Sequence, residues 1–232
     1  MVFMDINYLR NSVKGVIWDV DGTLIDSEPL HFEALLSVSR ECGFTIDKTR
    51  NESMLGLSLE RVWEVLSETH DISIPMEEWK NRIIHYYLKN VSFEMARPGV
   101  IDCINTIASK EIFQACVSTA ERKILDANLT AIGIGKNISF SFGFEDVAET
   151  KPAPEPYIKA CERLKLPRNQ CIAVEDTMVG VESATRAGLY TIAWPNDMSK
   201  NQDFSKADVI VNDIWDVPWA ELGNDMNKRI LK

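Results

Sequence analysis

The chain predicts an α/β fold: a doubly wound parallel sheet carrying an all-helical segment inserted after its first strand and helix. Short apolar runs that read as buried strands alternate with stretches of helical periodicity, an order that implies a parallel sheet covered on both faces. Between residues 45 and 95 only helical spacing is found. The apolar runs also end alike, in acidic, hydroxyl or lysine side chains, and in a parallel sheet such strand ends converge on one edge.

The first strand is Val16-Ile17-Trp18, followed by Asp19 and Asp21 and stopped by the turn signal Gly22-Thr23. Residues 27–42 form a helix with Leu30, Ala34, Leu35 and Val38 on one side and Gly43 as its stop. In the inserted segment, Leu59, Val62, Trp63, Val65 and Leu66 predict one helix. Trp79, Ile83, Ile84, Tyr87 and Leu88 predict another, and Pro75 separates the two. Arg97-Pro98-Gly99 marks the return to alternation: helix 100–109, strand 112–117 ending in Ser118-Thr119, helix 121–132, and a weaker strand 138–142. A proline-fixed loop opened by Lys151 leads into a helix through Leu164. Strand 171–174 ends in Glu175-Asp176; a helix to Ala187, strand 190–194, an edge strand 208–211 and a short C-terminal helix complete the chain. The expected division is an α/β core of residues 1–27 and 96–232 and a helical domain of residues 28–95.

The 232 residues, 45% hydrophobic, supply a core for one large domain or two modest ones. A net charge of −10 argues against a nucleic-acid groove, which needs basic residues to meet phosphates. An anionic substrate would then require local positive charge from a metal or a well-placed lysine. Cys42, Cys103, Cys116, Cys161 and Cys171 show no metal-ligand spacing and sit in apolar contexts, so they read as reduced core residues. Residues 1–14 carry no signal-peptide core, and no apolar run approaches the roughly 20 residues of a membrane span. The expectation is a cytoplasmic monomer with no nucleic-acid or membrane partner.

Asp19 and Asp21 stand two residues apart and point to the same side of their strand. Like charges so placed raise each other's pKa, a cost relieved by a bound cation or by splitting acid and base roles. Taken singly, the other strand-end residues have ordinary readings: Ser118 and Thr119 as helix caps, Lys151 as a solvated loop residue, Glu175-Asp176 as an N-cap. Their joint occurrence at successive strand ends points to a site. Three or four acids, a hydroxyl pair and one lysine match phosphoryl transfer. Magnesium takes carboxylate, water and phosphate oxygens, a carboxylate can serve as nucleophile, and the lysine and metal offset transition-state charge.

Asp19-Val20-Asp21-Gly22-Thr23-Leu24 resembles the DxDGT motif of the haloacid dehalogenase superfamily, and Ser118-Thr119, Lys151-Pro152 and Glu175-Asp176-Thr177 resemble its later motifs in order. The run from Asp21 to His31 is similar to the subgroup containing β-phosphoglucomutase and 2-deoxyglucose-6-phosphatase-like sugar phosphatases. The resemblance implies a Rossmann-like core with an inserted α-helical cap. It implies Asp19 as nucleophile and Mg2+ ligand, and Asp21 as general acid and base whose carbonyl also meets the metal. Ser118 and Thr119 would bind the phosphoryl group, Lys151 would steady it and the nucleophile, and Asp176 would complete the metal site. Glu175 would bind the metal directly or stand behind it. The second motif often reads Ser-Asn, so whether Ser118 or Thr119 meets the phosphate stays open. An acid at the Asp21 position, absent from the dehalogenases, favours phosphate transfer.

In the cap, Leu55-Gly56-Leu57-Ser58 reads as a loop whose Gly56 allows close approach to substrate, and His31 lies near the first hinge, where a subgroup histidine contacts the acid/base region. The expected activity is a Mg2+-dependent phosphatase acting on a small phosphorylated metabolite, a sugar or polyol phosphate. The alternative is a phosphosugar mutase. β-Phosphoglucomutase carries a lysine just before this glycine and an arginine three residues after it, where this chain has Leu55 and Leu59. Arg61 could replace them in part. No cap lysine matches the Schiff-base lysine of phosphonoacetaldehyde hydrolysis. A catalytically silent binding protein on the same fold is disfavoured because every catalytic position is filled.

Overall fold

The structure, a computed structural model, describes residues 6–47, 59–70 and 72–223. By internal contacts the chain divides into two compact units, Met1–Asp26 with Phe93–Lys232, and Ser27–Ser92.

In the larger unit six parallel strands lie in the order β3-β2-β1-β4-β5-β6: β1 Gly15–Trp18, β2 Phe113–Val117, β3 Ser141–Phe142, β4 Cys171–Glu175, β5 Tyr190–Ala193 and β6 Val209–Ile210. Strand β1 is apolar throughout and wholly buried, as a central strand covered on both faces must be. Its neighbours are in register at Ile17, which pairs with Ala115 of β2 and Ala173 of β4. Helices α1 Ile6–Asn11, α5 Val100–Ala108, α6 Arg122–Ala131, α7 Glu155–Leu164 and α8 Met178–Ala187 belong to this unit.

On one face Ile17, Val117 and Ala173 pack with Tyr157, Ala160 and Cys161 of α7 and Ala184 and Ala187 of α8. Trp18 points to the opposite face. Its ring lies 5.6 Å from that of Trp219, and Nε1 donates to Gln114 Oε1 at 3.1 Å. Gln114 Nε2 in turn donates to the carbonyl of Ile104 in α5 at 3.0 Å, so these buried polar atoms are matched.

The helical unit comprises α2 Glu28–Glu41, α3 Leu59–Ser67 and α4 Met76–Asn90. Ala34, Leu35 and Val38 of α2, Val62 and Leu66 of α3, and Trp79 and Ile83 of α4 form its core, with Leu59 and Trp63 packed against it. Trp79 buries its indole N–H against Ser39 Oγ at 3.2 Å. These are the periodic residues of the sequence.

Two predicted elements change. Strand β3 is only Ser141–Phe142, although the residues before it still bond β2: Ser139 N–H reaches Gln114 O at 2.7 Å, and Phe140 O accepts from Cys116 N–H at 3.1 Å; a 3-10 turn occupies Gly135–Asn137. The expected C-terminal helix is instead two 3-10 turns, Ile214–Asp216 and Trp219–Glu221. Pro218 lacks the N–H that would continue the first turn into the second. No helix among the described residues is long and apolar enough to cross a membrane.

Candidate active site

Asp19 follows β1 but stays laddered to β4, its N–H bonding Val174 O at 3.0 Å. The chain then turns: Leu24 N–H reaches Val20 O and Gly22 N–H reaches Ile25 O, both at 2.8 Å. Gly22 sits at φ +82°, and a Cβ there would lie 2.3 Å from Asp176 Oδ2. Glycine is needed for both the left-handed backbone and the close approach. Arg97 fastens this turn, donating from Nη1 to Gly22 O at 2.8 Å and Trp194 O at 3.0 Å, and from Nη2 to Pro195 O at 3.1 Å. Its guanidinium lies 3.4 Å from the Trp194 ring centroid.

Lys151 lies at the centre. Nζ donates to Asp19 Oδ1 at 2.5 Å and to Val117 O at 3.1 Å, and pairs with Glu175 Oε1 at 2.7 Å. Tyr157 OH donates to the same Glu175 oxygen at 2.7 Å. Burial opposes the charge on Lys151, but Asp19 and Glu175 hold its pKa above the ordinary lysine value. Burial pushes Asp19 up to about 7; Lys151 counters this, while Glu175 and Asp21 add to it. Asp176 is likewise pushed well up, by burial first and then by Asp19 and Glu175.

Asp19, Glu175 and Asp176 each offer a carboxylate oxygen, all within 4.8 Å of one another. Asp19 Oδ2 and Glu175 Oε2 are buried with no hydrogen-bond partner. Three buried carboxylates against one ammonium, with two bare oxygens, form a hard-donor set that suits a divalent cation such as Mg2+.

Asp21 lies beside this cluster. Ser118 Oγ donates to its Oδ2 and Asn128 Nδ2 to its Oδ1, both at 2.9 Å. Ser118 is buried and Thr119 exposed. The capping alternatives fall away. The N-cap of α6 is Glu121 with no side-chain cap bond, and α8 is capped by Thr177, whose oxygen accepts from Gly180 N–H at 3.2 Å. Nor is Lys151 solvated, its side chain being 4% exposed.

Six of the predicted residues therefore gather at one sheet edge: Asp19, Asp21, Ser118, Lys151, Glu175 and Asp176. Thr119 faces solvent. His31 lies in α2 of the helical unit, stacked on Tyr87 with centroids 4.1 Å apart. Gly56, with Leu55 and Leu57, falls outside the described residues. No sequence motif marks Asn128, Tyr157 or Asn196, and Arg97 is marked only as part of a boundary and not as a site residue. Asn128 left a signal, one polar residue on the buried α6 face of Ile124, Leu125 and Leu129; Tyr157 and Asn196 did not.

A profile of the haloacid dehalogenase-like hydrolases matches residues 16–194. The chain belongs to that family, in agreement with its four ordered motifs. Among curated proteins it is 31% identical over 183 residues to the "Phosphorylated carbohydrates phosphatase" of Thermotoga maritima, spanning 78% of this chain and 84% of that protein. Among solved structures it superposes with a TM-score of 0.77 and 25% identity on CbbY from Rhodobacter sphaeroides in complex with phosphate, covering 91% of this chain and 96% of that one. The beta-phosphoglucomutase of Clostridium difficile shares the fold, with a TM-score of 0.68 at 20% identity over 95% of this chain and all of that one.

Proposed function

We propose that the protein is a Mg2+-dependent phosphatase that hydrolyses a small sugar or polyol phosphate through an aspartyl-phosphate on Asp19. The observation that carries this reading is the pairing of Asp19 Oδ1 with Lys151 while its Oδ2 stays bare beside Glu175 and Asp176. A carboxylate so held has one oxygen oriented and the other available. The family and the phosphatase named above support the choice of substrate class.

Asp19, Asp176 and the Asp21 carbonyl would hold the metal, with Glu175 mainly fastening Lys151. When bound, Mg2+ would offset charge on the phosphoryl oxygens and on the carboxylates. An Asp19 oxygen attacks phosphorus as the bond to the leaving oxygen breaks, and Asp21 gives that oxygen its proton. Asp21 then takes a proton from water, whose oxygen attacks phosphorus; the bond to Asp19 breaks, releasing phosphate and restoring the carboxylate. Lys151 offsets charge on the transferring group, and Ser118, buried beside Asp21, is better placed than Thr119 to bind it. We assign choice of leaving group to residues 28–95, with Gly56 and His31 contacting substrate there.

Leu59 packs into the core of its own unit and offers no cation for a second phosphate, which favours hydrolysis over a mutase cycle. The test is a panel of sugar and polyol phosphates with Mg2+, following inorganic phosphate and glucose 6-phosphate together. Phosphate release that stops in chelator and returns with Mg2+, with a borohydride-trapped adduct on Asp19, is expected. Conversion of β-glucose 1-phosphate to glucose 6-phosphate without free phosphate would identify a mutase instead.

A further inference from the structure

Asn196 follows β5 in the loop beyond Trp194, and no motif of the sequence marks it. Its side-chain amide is nonetheless bonded at both its oxygen and its nitrogen. Oδ1 accepts from Met198 N–H at 2.9 Å, Ser199 N–H at 3.0 Å and Ser199 Oγ at 3.2 Å. Nδ2 donates to Asp176 Oδ2 at 2.8 Å and to Gly22 O at 3.1 Å. Backbone N–H groups can only donate, and carbonyl and carboxylate oxygens here only accept. The amide orientation is therefore fixed: oxygen to the loop, NH2 to Asp176.

Asp176 is held from two sides, since Thr23 Oγ1 donates to its Oδ1 at 3.0 Å. Each oxygen keeps a lone pair for a cation while its direction is set. Gly22 closes the arrangement, because a Cβ there would also lie 2.9 Å from Asn196 Nδ2. An aspartate at 196 would satisfy the loop N–H groups but turn an oxygen toward Asp176. Only an amide serves both sides.

We propose that Asn196 is a positioning residue for the metal centre, orienting Asp176 for a divalent cation and tying the loop after β5 to the turn after β1. Residues that hydrogen-bond metal ligands typically set affinity by about 10–100-fold. The inference rests on the metal reading above.

The experiment measures Mg2+ and Mn2+ binding to the full chain by calorimetry, alongside the thermal midpoint in chelator, for the parent, Asn196→Ala and Asn196→Ser. Serine keeps an oxygen for the loop N–H groups, as short hydroxyl side chains do in turns, but is too short to reach Asp176. Both variants are expected to bind the cations at least about tenfold more weakly. Asn196→Ser should keep a near-parental midpoint in chelator, and its activity should recover to within a few-fold at saturating Mg2+. A purely structural role would lower the midpoint and leave the dissociation constant unmoved. A parent that binds and an Asn196→Ser that binds equally would overturn this inference alone. A parent that binds neither cation would overturn the metal reading and this inference with it.

Discussion

Asn128 is completely buried in α6 and donates to one oxygen of Asp21 while Ser118 donates to the other. Two donors on one carboxylate fix its plane, so Asn128 orients the group that must exchange a proton with the leaving oxygen. Replacing it with Leu would leave one oxygen of Asp21 without that donor. Turnover of a sugar phosphate, whose alkoxide needs protonation, should fall roughly 10–100-fold. Turnover of p-nitrophenyl phosphate, whose leaving group does not, should fall much less. Equal losses on both substrates would show that Asn128 serves the fold and not Asp21. At Asp19 the expectation is simpler: Asp19→Asn should lower turnover by roughly 10³-fold or more and abolish the trapped phosphoenzyme. Residual turnover near the parental rate would rule out covalent catalysis at that position. The acids and Ser118 were legible in the sequence because each falls at a strand end, and Lys151 because it opens a proline-fixed loop that resembles a known motif. Asn196 and Tyr157 were not, since their roles depend on loops and a helix that only tertiary packing brings to that edge.

At the level of elements, the first turn of α8 decides where Glu175 can lie. Gly180 sits against that carboxylate so closely that a Cβ would fall 2.0 Å from Glu175 Cδ. Glu175 cannot readily move aside, being 1% exposed and tied to Lys151 and Tyr157. Gly180→Ala therefore sets two effects against each other. Helix propensity alone would stabilise by about 1 kcal/mol. Overpacking costs about 1–3 kcal/mol, and displacing Glu175 would loosen Lys151 as well. The clash is expected to win: a lower unfolding midpoint in denaturant and a marked loss of turnover. A variant more stable than the parent would mean that Glu175 relaxes freely. Elements were more legible than residues. Apolar periodicity located α2, α3, α4 and the central strands, because a wholly buried strand and a one-sided helix leave different patterns. It overran β3, an edge strand with little to bury, and failed after β6, where Pro218 and a capping Asp213 impose turns on an apolar segment.

Across the whole molecule, the cost of assembling this edge should appear as a dependence of stability on pH and cation together. Without metal, burial holds Asp19 up at about 7, against an ordinary aspartate value of 3.8. The unfolded chain gives up that proton near the ordinary value, and the folded chain keeps it until near neutrality. Between the two values the folded state binds more protons, so this group's contribution makes stability fall as pH rises through that window. Asp176, shifted in the same direction, adds to the fall. A divalent cation needs these carboxylates deprotonated, so it competes with the protons and offsets the loss where the loss is greatest. The thermal midpoint in chelator should therefore decline from about pH 4 to about pH 7, and level off above, relative to that of an Asp19→Asn variant, which carries no charge there. The increase in midpoint produced by saturating Mg2+ should grow over the same range. A Mg2+ increment that is constant with pH would mean that the cation binds away from Asp19 and Asp176, and the metal centre would have to be sought elsewhere in the chain.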